Sequence, residues 1–440
     1  MANLKDHDDY SLLPIPPEGK QALWRVMVVR LGGLACLPIL MVGSALGFGL
    51  TFWQGFWAIF FGSVILQVVG WAIGTAAAKE GLGTSLLSRW MGFGNIGSSL
   101  IGLVIAITSF GWFGIQNSIF AEGLLKATGI LSFPVWSIIT GIGVTLIVLF
   151  GFKYLSLTAN LAFPLFVIGV FYAFVKMLAG HNLSTLIASP APGAALTMTT
   201  AITMVAGSYM LGAVVTPDLS RFVKTGKDVF WMVLVSTFVG ELGFGLIGLL
   251  LAHAVKSADV TTIMLSLSGV LGVSLVIFST VKINDINLYS ASLGITNFFD
   301  SLFHVKINRA VVTIFIGVIG TILSILGILN NFINFLTFLG VMIPPVGGIM
   351  ITDYFILKRS RKILDNSRVI GVLPEKVEVW NPIALVSWLG GTAFGYFVTG
   401  FGVPSVNSLV VSMVLYYVFI KIYSAIVRTN KEADDELIVS

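Results

Sequence analysis

Apolar residues fill long, nearly uninterrupted stretches of this chain, and polar residues collect in the short segments between them. Each stretch is about 18 to 29 residues long, enough for an α-helix to cross a hydrocarbon layer about 30 Å thick. Twelve such spans, first to twelfth, are predicted at 22–50, 55–78, 97–125, 133–150, 155–178, 197–216, 229–254, 270–293, 310–329, 333–357, 381–399 and 405–426. The pattern therefore predicts an all-α polytopic membrane protein with twelve transmembrane helices.

Composition excludes an ordinary soluble domain. Hydrophobic residues make up 56% of the chain and charged residues 10%, and the mean hydropathy is +0.97. The single cysteine, Cys36, excludes an intramolecular disulfide and a cysteine-rich metal site, and the four histidines form no short zinc motif. No cofactor and no metal site are predicted.

Lysine and arginine are distributed unevenly between the two sides of the predicted helices. With a cytoplasmic N-terminus, 20 of the 25 basic residues fall on the cytoplasmic side, and only Lys126, Lys176 and Lys256 fall outside. Cytoplasmic loops hold the excess of basic residues in membrane proteins. We therefore expect a multi-pass protein of the cell membrane with both termini in the cytoplasm. The net charge of +5 then needs no nucleic-acid partner, and the oligomeric state stays open.

Two spans contain residues that weaken a helix. The first span carries Arg30, Gly32, Gly33 and Pro38. The sixth carries Gly207, Ser208, Gly212 and a Thr-Pro-Asp exit at 216–218. Interrupted spans five apart are typical of transporters built from two inverted five-helix repeats. The other interpretation is that glycine and proline are simply common in transmembrane helices.

With that repeat, the chain divides into a transport core and its flanking segments. The predicted parts are a cytoplasmic N-terminal tail (1–20), a ten-helix inverted-repeat core (21–358), a cytoplasmic loop (359–380), helices eleven and twelve (381–426) and a cytoplasmic C-terminal tail (427–440).

Charged residues inside spans are the strongest functional signal. An ionisable group at membrane depth costs at least about 2.5 to 3.5 kcal/mol, so it normally faces a cavity and has a partner. Lys282 and Asp285 lie three apart on the eighth span, on one face of a helix, and Glu241 lies midway along the seventh. Lys282 and Asp285 are either part of a transport site or a structural ion pair.

Four motifs occur in register along the chain. They are 111–116 (GWFGIQ), 217–222 (PDLSRF), Asn284-Asp285 with Leu288-Tyr289, and 338–348 (FLGVMIPPVGG) followed by Thr352-Asp353-Tyr354. Together they resemble the cytosine-permease branch of the nucleobase-cation symport family, over residues 20 to 361. The resemblance implies a ten-helix inverted-repeat core followed by two further helices. It also implies uptake of a flat heterocycle, bound at mid-membrane between the first, third, sixth and eighth spans, by cation symport.

The matching residues suit a flat ligand. Stacking of a base on an aromatic ring such as Trp112 is worth about 1 to 3 kcal/mol, and the Gln116 amide, one turn on, both donates and accepts. Ser208 and Tyr209, expected in a broken part of the sixth span, match family positions that contact the substrate. Further candidate substrate contacts are Ser109, Ser279 and Asn284. The alternative is that Trp112 and Tyr209 are packing or lipid-facing aromatics.

Two departures from the cytosine-permease pattern leave the substrate open. Ser109 stands where those permeases have glutamine. Gln116 stands where they have glycine, and resembles the hydantoin-type branch instead. Cytosine, a purine, a hydantoin and a pyrimidine vitamin precursor all remain possible substrates.

A third departure from the family pattern concerns the coupling ion. The sodium-coupled members of the family use two adjacent hydroxyl residues of the eighth helix and carbonyls of the first, and here the hydroxyl positions are Lys282 and Ile283. Because an ammonium group repels sodium, we expect proton coupling, with Lys282 paired to Asp285 or to carbonyls between Gly32 and Cys36. Lys282 is then either the titrating group or a fixed cation. Glu241 is a second proton-carrier candidate, with Arg30 as its partner.

Other functions are weighed against this one. A sodium-coupled symporter of a hydantoin-like or vitamin-precursor substrate is the first alternative. A membrane enzyme would need clustered catalytic residues at one interface, and a channel would need a ring-forming selectivity repeat; the sequence has neither pattern. The motif Gly92 to Gly97 fits GxGxxG but follows a loop rather than a strand, so we interpret it as a loop and helix start.

Overall fold

A computed structural model describes residues 13–34, 36–149, 152–305, 307–374, 376–398 and 400–439, and this part of the chain is helical without strands. Its α-helices are α1 Leu23–Leu34, α2 Leu37–Gly49, α3 Phe52–Glu80, α4 Thr84–Ser88, α5 Gly94–Thr128, α6 Phe133–Leu149, α7 Phe152–Gly180, α8 Leu183–Ala188, α9 Met198–Val214, α10 Pro217–Ser220, α11 Gly226–Val235, α12 Gly245–Val255, α13 Val260–Phe303, α14 Arg309–Ile325, α15 Phe332–Met342, α16 Pro344–Ile351, α17 Arg361–Ile370, α18 Pro382–Phe397 and α19 Pro404–Val439. Wider π-helical turns span Arg89–Phe93, Ser236–Phe244 and Thr352–Leu357, and 3₁₀ turns span Pro17–Gly19 and Ile328–Asn331.

The predicted all-helical fold is confirmed for the described residues. Six helical runs among the described residues are long and apolar enough to cross a membrane: Phe52–Glu80, Thr84–Thr128, Met198–Ser220, Gly226–Val255, Ile328–Leu357 and Pro404–Val427. Twelve crossings and the inverted repeat stay predictions. The predicted loop 359–380 contains α17, and α19 runs on to Val439 through the predicted tail from 427. The predicted division of the chain stays a prediction.

The first span is broken, a few residues later than expected. α1 stays helical through Arg30 and the glycine pair to Leu34, and Cys36 then adopts an extended conformation (φ −146°, ψ 162°) before α2. Pro38 lies in the first turn of α2, where its missing N–H costs no hydrogen bond. The proline therefore starts the second half of the span, and the glycine pair does not end the first.

The sixth span is not broken at its glycines, so that prediction is wrong. α9 is continuous from Met198 to Val214. A Cβ at Gly207 would lie 1.9 Å from the carbonyl oxygen of Leu336, and one at Gly340 would lie 2.4 Å from that of Thr203. These glycines let α9 and α15 pack backbone to backbone, the usual role of small residues between membrane helices.

α5 and α13 run antiparallel in close contact, which sets the depth of the residues between them. A Cβ on Gly294 would lie 2.5 Å from the oxygen of Gly102, and one on Gly123 would lie 3.5 Å from Val273 and Ile277. This register places position 284 of α13 at the level of the 112–116 turn of α5.

The described part of the N-terminal tail is docked against the helices. The Ile15 amide donates to the Gly81 carbonyl at 2.9 Å. The Lys20 ammonium donates to the carbonyls of Ala78 at 2.9 Å and Arg221 at 2.7 Å, and burial lowers the pKa of Lys20 to about 8. The segment thus joins the end of α3 to the turn after α10.

Candidate substrate and ion site

Trp112 lies in an aromatic group at the centre of the molecule. It is buried on α5, and its ring centroid lies 6.0 Å from that of Phe332 and 5.5 Å from that of Phe335, both in T-shaped geometry. The two phenylalanines lie three apart on α15. The sequence reasoning missed them, although this spacing on a membrane span is the signal of two rings on one helix face.

Gln116 lies fully buried one turn beyond Trp112. Its Nε2 donates to the sulfur of Met41 on α2 at 3.9 Å, and its Oε1 has no hydrogen-bond partner among the described residues. A buried polar atom without a partner costs about 1 to 3 kcal/mol. The amide oxygen is therefore ready to accept from a ligand.

Asn284 presents a second unsatisfied amide. It is fully buried on α13, and neither its Nδ2 nor its Oδ1 has a partner in the described part of the chain. The α5–α13 register brings it to the depth of Trp112 and Gln116. Ser109 and Ser279 are buried on the same two helices.

A cavity leads toward this group from the face predicted to be extracellular. It has a volume of about 320 Å³, and Met41 and Phe332 form part of its wall. Both residues also contact the site, through Gln116 and Trp112 respectively. At its rim Lys126 pairs with Glu122 at 2.7 Å and with Asp259. Met41 and Phe332 therefore lie between the cavity and the candidate substrate site.

The break in the first span forms a second, charged region around Cys36 and Lys282, the ion side of the candidate site. Cys36 packs with Tyr209 of α9 and Ile283 of α13. Lys282 is half-buried on α13, within electrostatic range of the Cys36 sulfur. Residues of the first, sixth and eighth spans therefore pack together at the break.

Two predicted members of this region are placed differently or not described. Gly32 lies within the last turn of α1 rather than at the break. The side chain of Asp285 lies outside the described residues, so its predicted pairing with Lys282 stays a prediction.

Glu241 lies buried in the π-helical turn of the seventh span. Ser63 donates to its Oε2 at 3.4 Å, and Oε1 has no partner among the described residues. Arg30, its predicted partner, instead donates to the hydroxyls of Ser236 at 3.0 Å and Thr216 at 3.1 Å. No ion pair joins Arg30 to Glu241 in the described part of the chain.

Ser208 lies on the ion side rather than beside Trp112. Its hydroxyl donates to the Val205 carbonyl at 2.7 Å within the unbroken α9, which corrects the prediction that it lies in a broken segment. Ser208 and Glu241 border a void of about 10 Å³. That volume is at the lower limit for one water molecule.

A broken first helix, a central aromatic and amide site, and buried charges at mid-membrane define a carrier of small molecules rather than an enzyme. The family model described as "Permease for cytosine/purines, uracil, thiamine, allantoin" matches residues 14–420. The chain belongs to this family of permeases and is a multi-pass integral membrane protein.

Individual relatives agree with this assignment. The chain is 29% identical over 403 residues to the cytosine permease of Escherichia coli (strain K12), covering 90% of this chain and 91% of that one. It is 25% identical to the hydantoin permease of Microbacterium maritypicum, covering 80% and 75%. The fold is similar to that of Mhp1, a nucleobase-cation-symport-1 family transporter, in a closed conformation with bromovinylhydantoin bound, with a TM-score of 0.69 at 21% identity over 92% of this chain and 93% of that one.

Proposed function

We propose that this permease imports a nucleobase-like heterocycle across the cell membrane by proton symport. The observation that carries the proposal is a buried tryptophan beside two buried amides, Gln116 and Asn284, with three polar atoms unpartnered among the described residues. The family description and the cytosine and hydantoin permeases among the relatives support a substrate of this chemistry.

Each residue has a distinct task in this proposal. The flat ring stacks on Trp112, and the amides of Gln116 and Asn284 form hydrogen bonds with the polar groups at its edge. An amide offers both a donor and an acceptor, so the pair suits a ring with alternating N–H and C=O groups. Rejection of other rings follows because an unmatched edge would leave the buried amides unpaired. Ser109 and Ser279 are the next candidates for contact, and Tyr209 lies one layer away, at the ion side.

Proton coupling is supported by Lys282 at the break. Two positive charges 4 Å apart repel by about 4 kcal/mol at the effective dielectric of partly buried protein sites. A sodium ion beside the Cys36 break would meet that repulsion, whereas a proton is carried by Lys282 itself. Glu241, which borders a small void and has one carboxylate oxygen without a partner among the described residues, is the second proton carrier in this scheme.

One observation favours sodium instead. α1 ends at Leu34, and the last carbonyls of a helix have no partner within that helix; backbone oxygens are the ligand type that sodium-coupled carriers use. The second candidate function is therefore sodium-coupled uptake of a hydantoin-like or pyrimidine vitamin-precursor substrate.

Uptake into proteoliposomes separates the two. A panel of labelled nucleobases, hydantoins and vitamin precursors is offered under an inward proton gradient and, in parallel vesicles, an inward sodium gradient. We expect proton-driven accumulation of at least one heterocycle without sodium. Accumulation that needs sodium would contradict the role given to Lys282, and no uptake of any heterocycle would contradict the substrate class.

A further inference from the structure

A polar pocket of about 280 Å³ lies on the face predicted to be cytoplasmic, far from the Trp112 site. The start of the third span, the end of the tenth and the segment around Lys376 form it. Its charged lining consists of Arg89, Arg359, Lys376, Asp353 and Glu378. The lining carries one net positive charge.

The acids of this pocket are already paired. Arg359 contacts Glu378 at 2.8 Å and Asp353 at 3.3 Å, and the Tyr416 hydroxyl donates to Asp353 at 2.6 Å. Arg359 therefore has two carboxylate partners, and both carboxylates have a cation.

Arg89 and Lys376 have no such partner. Neither forms an ion pair with any described residue, and the Nε of Arg89 is buried without a hydrogen-bond acceptor. Lys376 is held in place through its backbone, since the Trp90 indole donates to its carbonyl at 2.9 Å. The pocket thus contains two cationic groups, the half-buried Arg89 and the exposed Lys376, and a buried donor, none of which has an anionic partner among the described residues.

The glycine-rich motif beside the pocket, residues 92–97, leaves no free backbone amide at the start of α5 for an anion, so side chains would have to bind it. Gly92 and Gly94 have φ of +100° and +70°, and a Cβ on Gly94 would lie 2.6 Å from the Glu378 carbonyl. The motif lets the 376–379 segment approach, and the first amides of α5, from Asn95 and Ile96, donate to its carbonyls at 2.8 and 3.0 Å. These helix-start amides are occupied and cannot cradle a phosphate.

We propose that this pocket binds a phosphate group, with Arg89 and Lys376 as its principal contacts. A guanidinium fork matches two oxygens of a phosphate, and charge-assisted bonds of this kind are about twice as strong as neutral ones. The group comes from the headgroup of an anionic phospholipid of the cytoplasmic leaflet or from free phosphate; the chemistry of recognition is shared.

The test uses the full chain in nanodiscs, as wild type, Arg89→Gln and the matched control Lys227→Gln. Lys227 is exposed on the same predicted face, outside the pocket. In phosphatidylcholine nanodiscs, inorganic phosphate is titrated by calorimetry. In a second arm, nanodiscs contain phosphatidylglycerol as well, and the lipid retained after detergent extraction is counted by native mass spectrometry.

Free phosphate as the ligand predicts calorimetric binding to wild type and Lys227→Gln, weakened at least about tenfold in Arg89→Gln. A lipid headgroup predicts selective retention of phosphatidylglycerol, lost in the same variant. No binding in either arm, or equal binding by Arg89→Gln and the control, overturns the site. Should Arg89→Gln not fold, Arg89→Lys keeps the charge without the fork and must still bind more weakly than wild type.

Discussion

The two sides of the central site are built differently. The substrate side rests on α5, an unbroken helix, and offers an aromatic ring and neutral amides at Trp112 and Gln116. The ion side lies where the first span is broken, and brings the Lys282 charge to the extended backbone at Cys36. A rigid helix suits recognition of a shape, whereas a break provides backbone groups and room for a charge. Binding and coupling should therefore be separable by mutation.

The largest expected effect is at Lys282. We expect Lys282→Ala to stop concentrative uptake, so that internal substrate rises only to the external level, while substrate binding stays within about threefold because Trp112 and Gln116 are intact. Labelled uptake and equilibrium binding are measured on the same preparation. Lys282→Arg tests the kind of charge: restored accumulation indicates a fixed cation, and continued failure indicates a titrating group. Full proton-driven accumulation by the alanine variant would return Lys282 to a structural role.

Trp112→Ala should produce the converse result. Loss of stacking is expected to weaken binding by about 1 to 3 kcal/mol, roughly 5- to 150-fold, while residual uptake keeps its proton dependence. Binding is measured by scintillation proximity on purified protein. Trp231→Ala is the matched control, since that ring is 53% exposed on the outside of the helices. Equal substrate affinity in wild type and Trp112→Ala would show that Trp112 is not part of the substrate site.

Gln116→Leu should separate binding from stability. Its unpartnered Oε1 is a cost that only a ligand relieves, so the leucine variant should bind about tenfold more weakly yet unfold at the same or a higher temperature. Affinity and thermal unfolding of the ligand-free protein are compared. A variant that loses stability and keeps its affinity would indicate a packing role.

The smallest effect is expected at Glu241. Glu241→Gln keeps the shape of the side chain, so maximal uptake should change by less than about threefold while its dependence on pH flattens. Initial rates are measured from pH 5 to 9. An unchanged pH profile would leave Lys282 as the sole proton carrier in the scheme.

The sequence was sufficient to predict the helical fold and the family. It was not sufficient to predict contacts between residues that are far apart in the sequence. Pro38 and the glycine pair indicated a broken first span, yet glycine in the sixth marks close packing on α15, because the partner backbone is invisible in a linear sequence. Trp112 and Gln116 were found through a motif. Phe332, Phe335 and Met41 were not, since their importance comes only from contact with those two residues.

Cys36, the single cysteine of the chain, lies at the break and is only 6% exposed. A thiol-reactive dye added to the wild-type protein can therefore label one atom, and only when the break opens to water. The rate of labelling then reports how often the ion side opens to solvent, without engineered cysteines. The effects of substrate and of pH on this labelling rate can then be measured in the unmodified carrier.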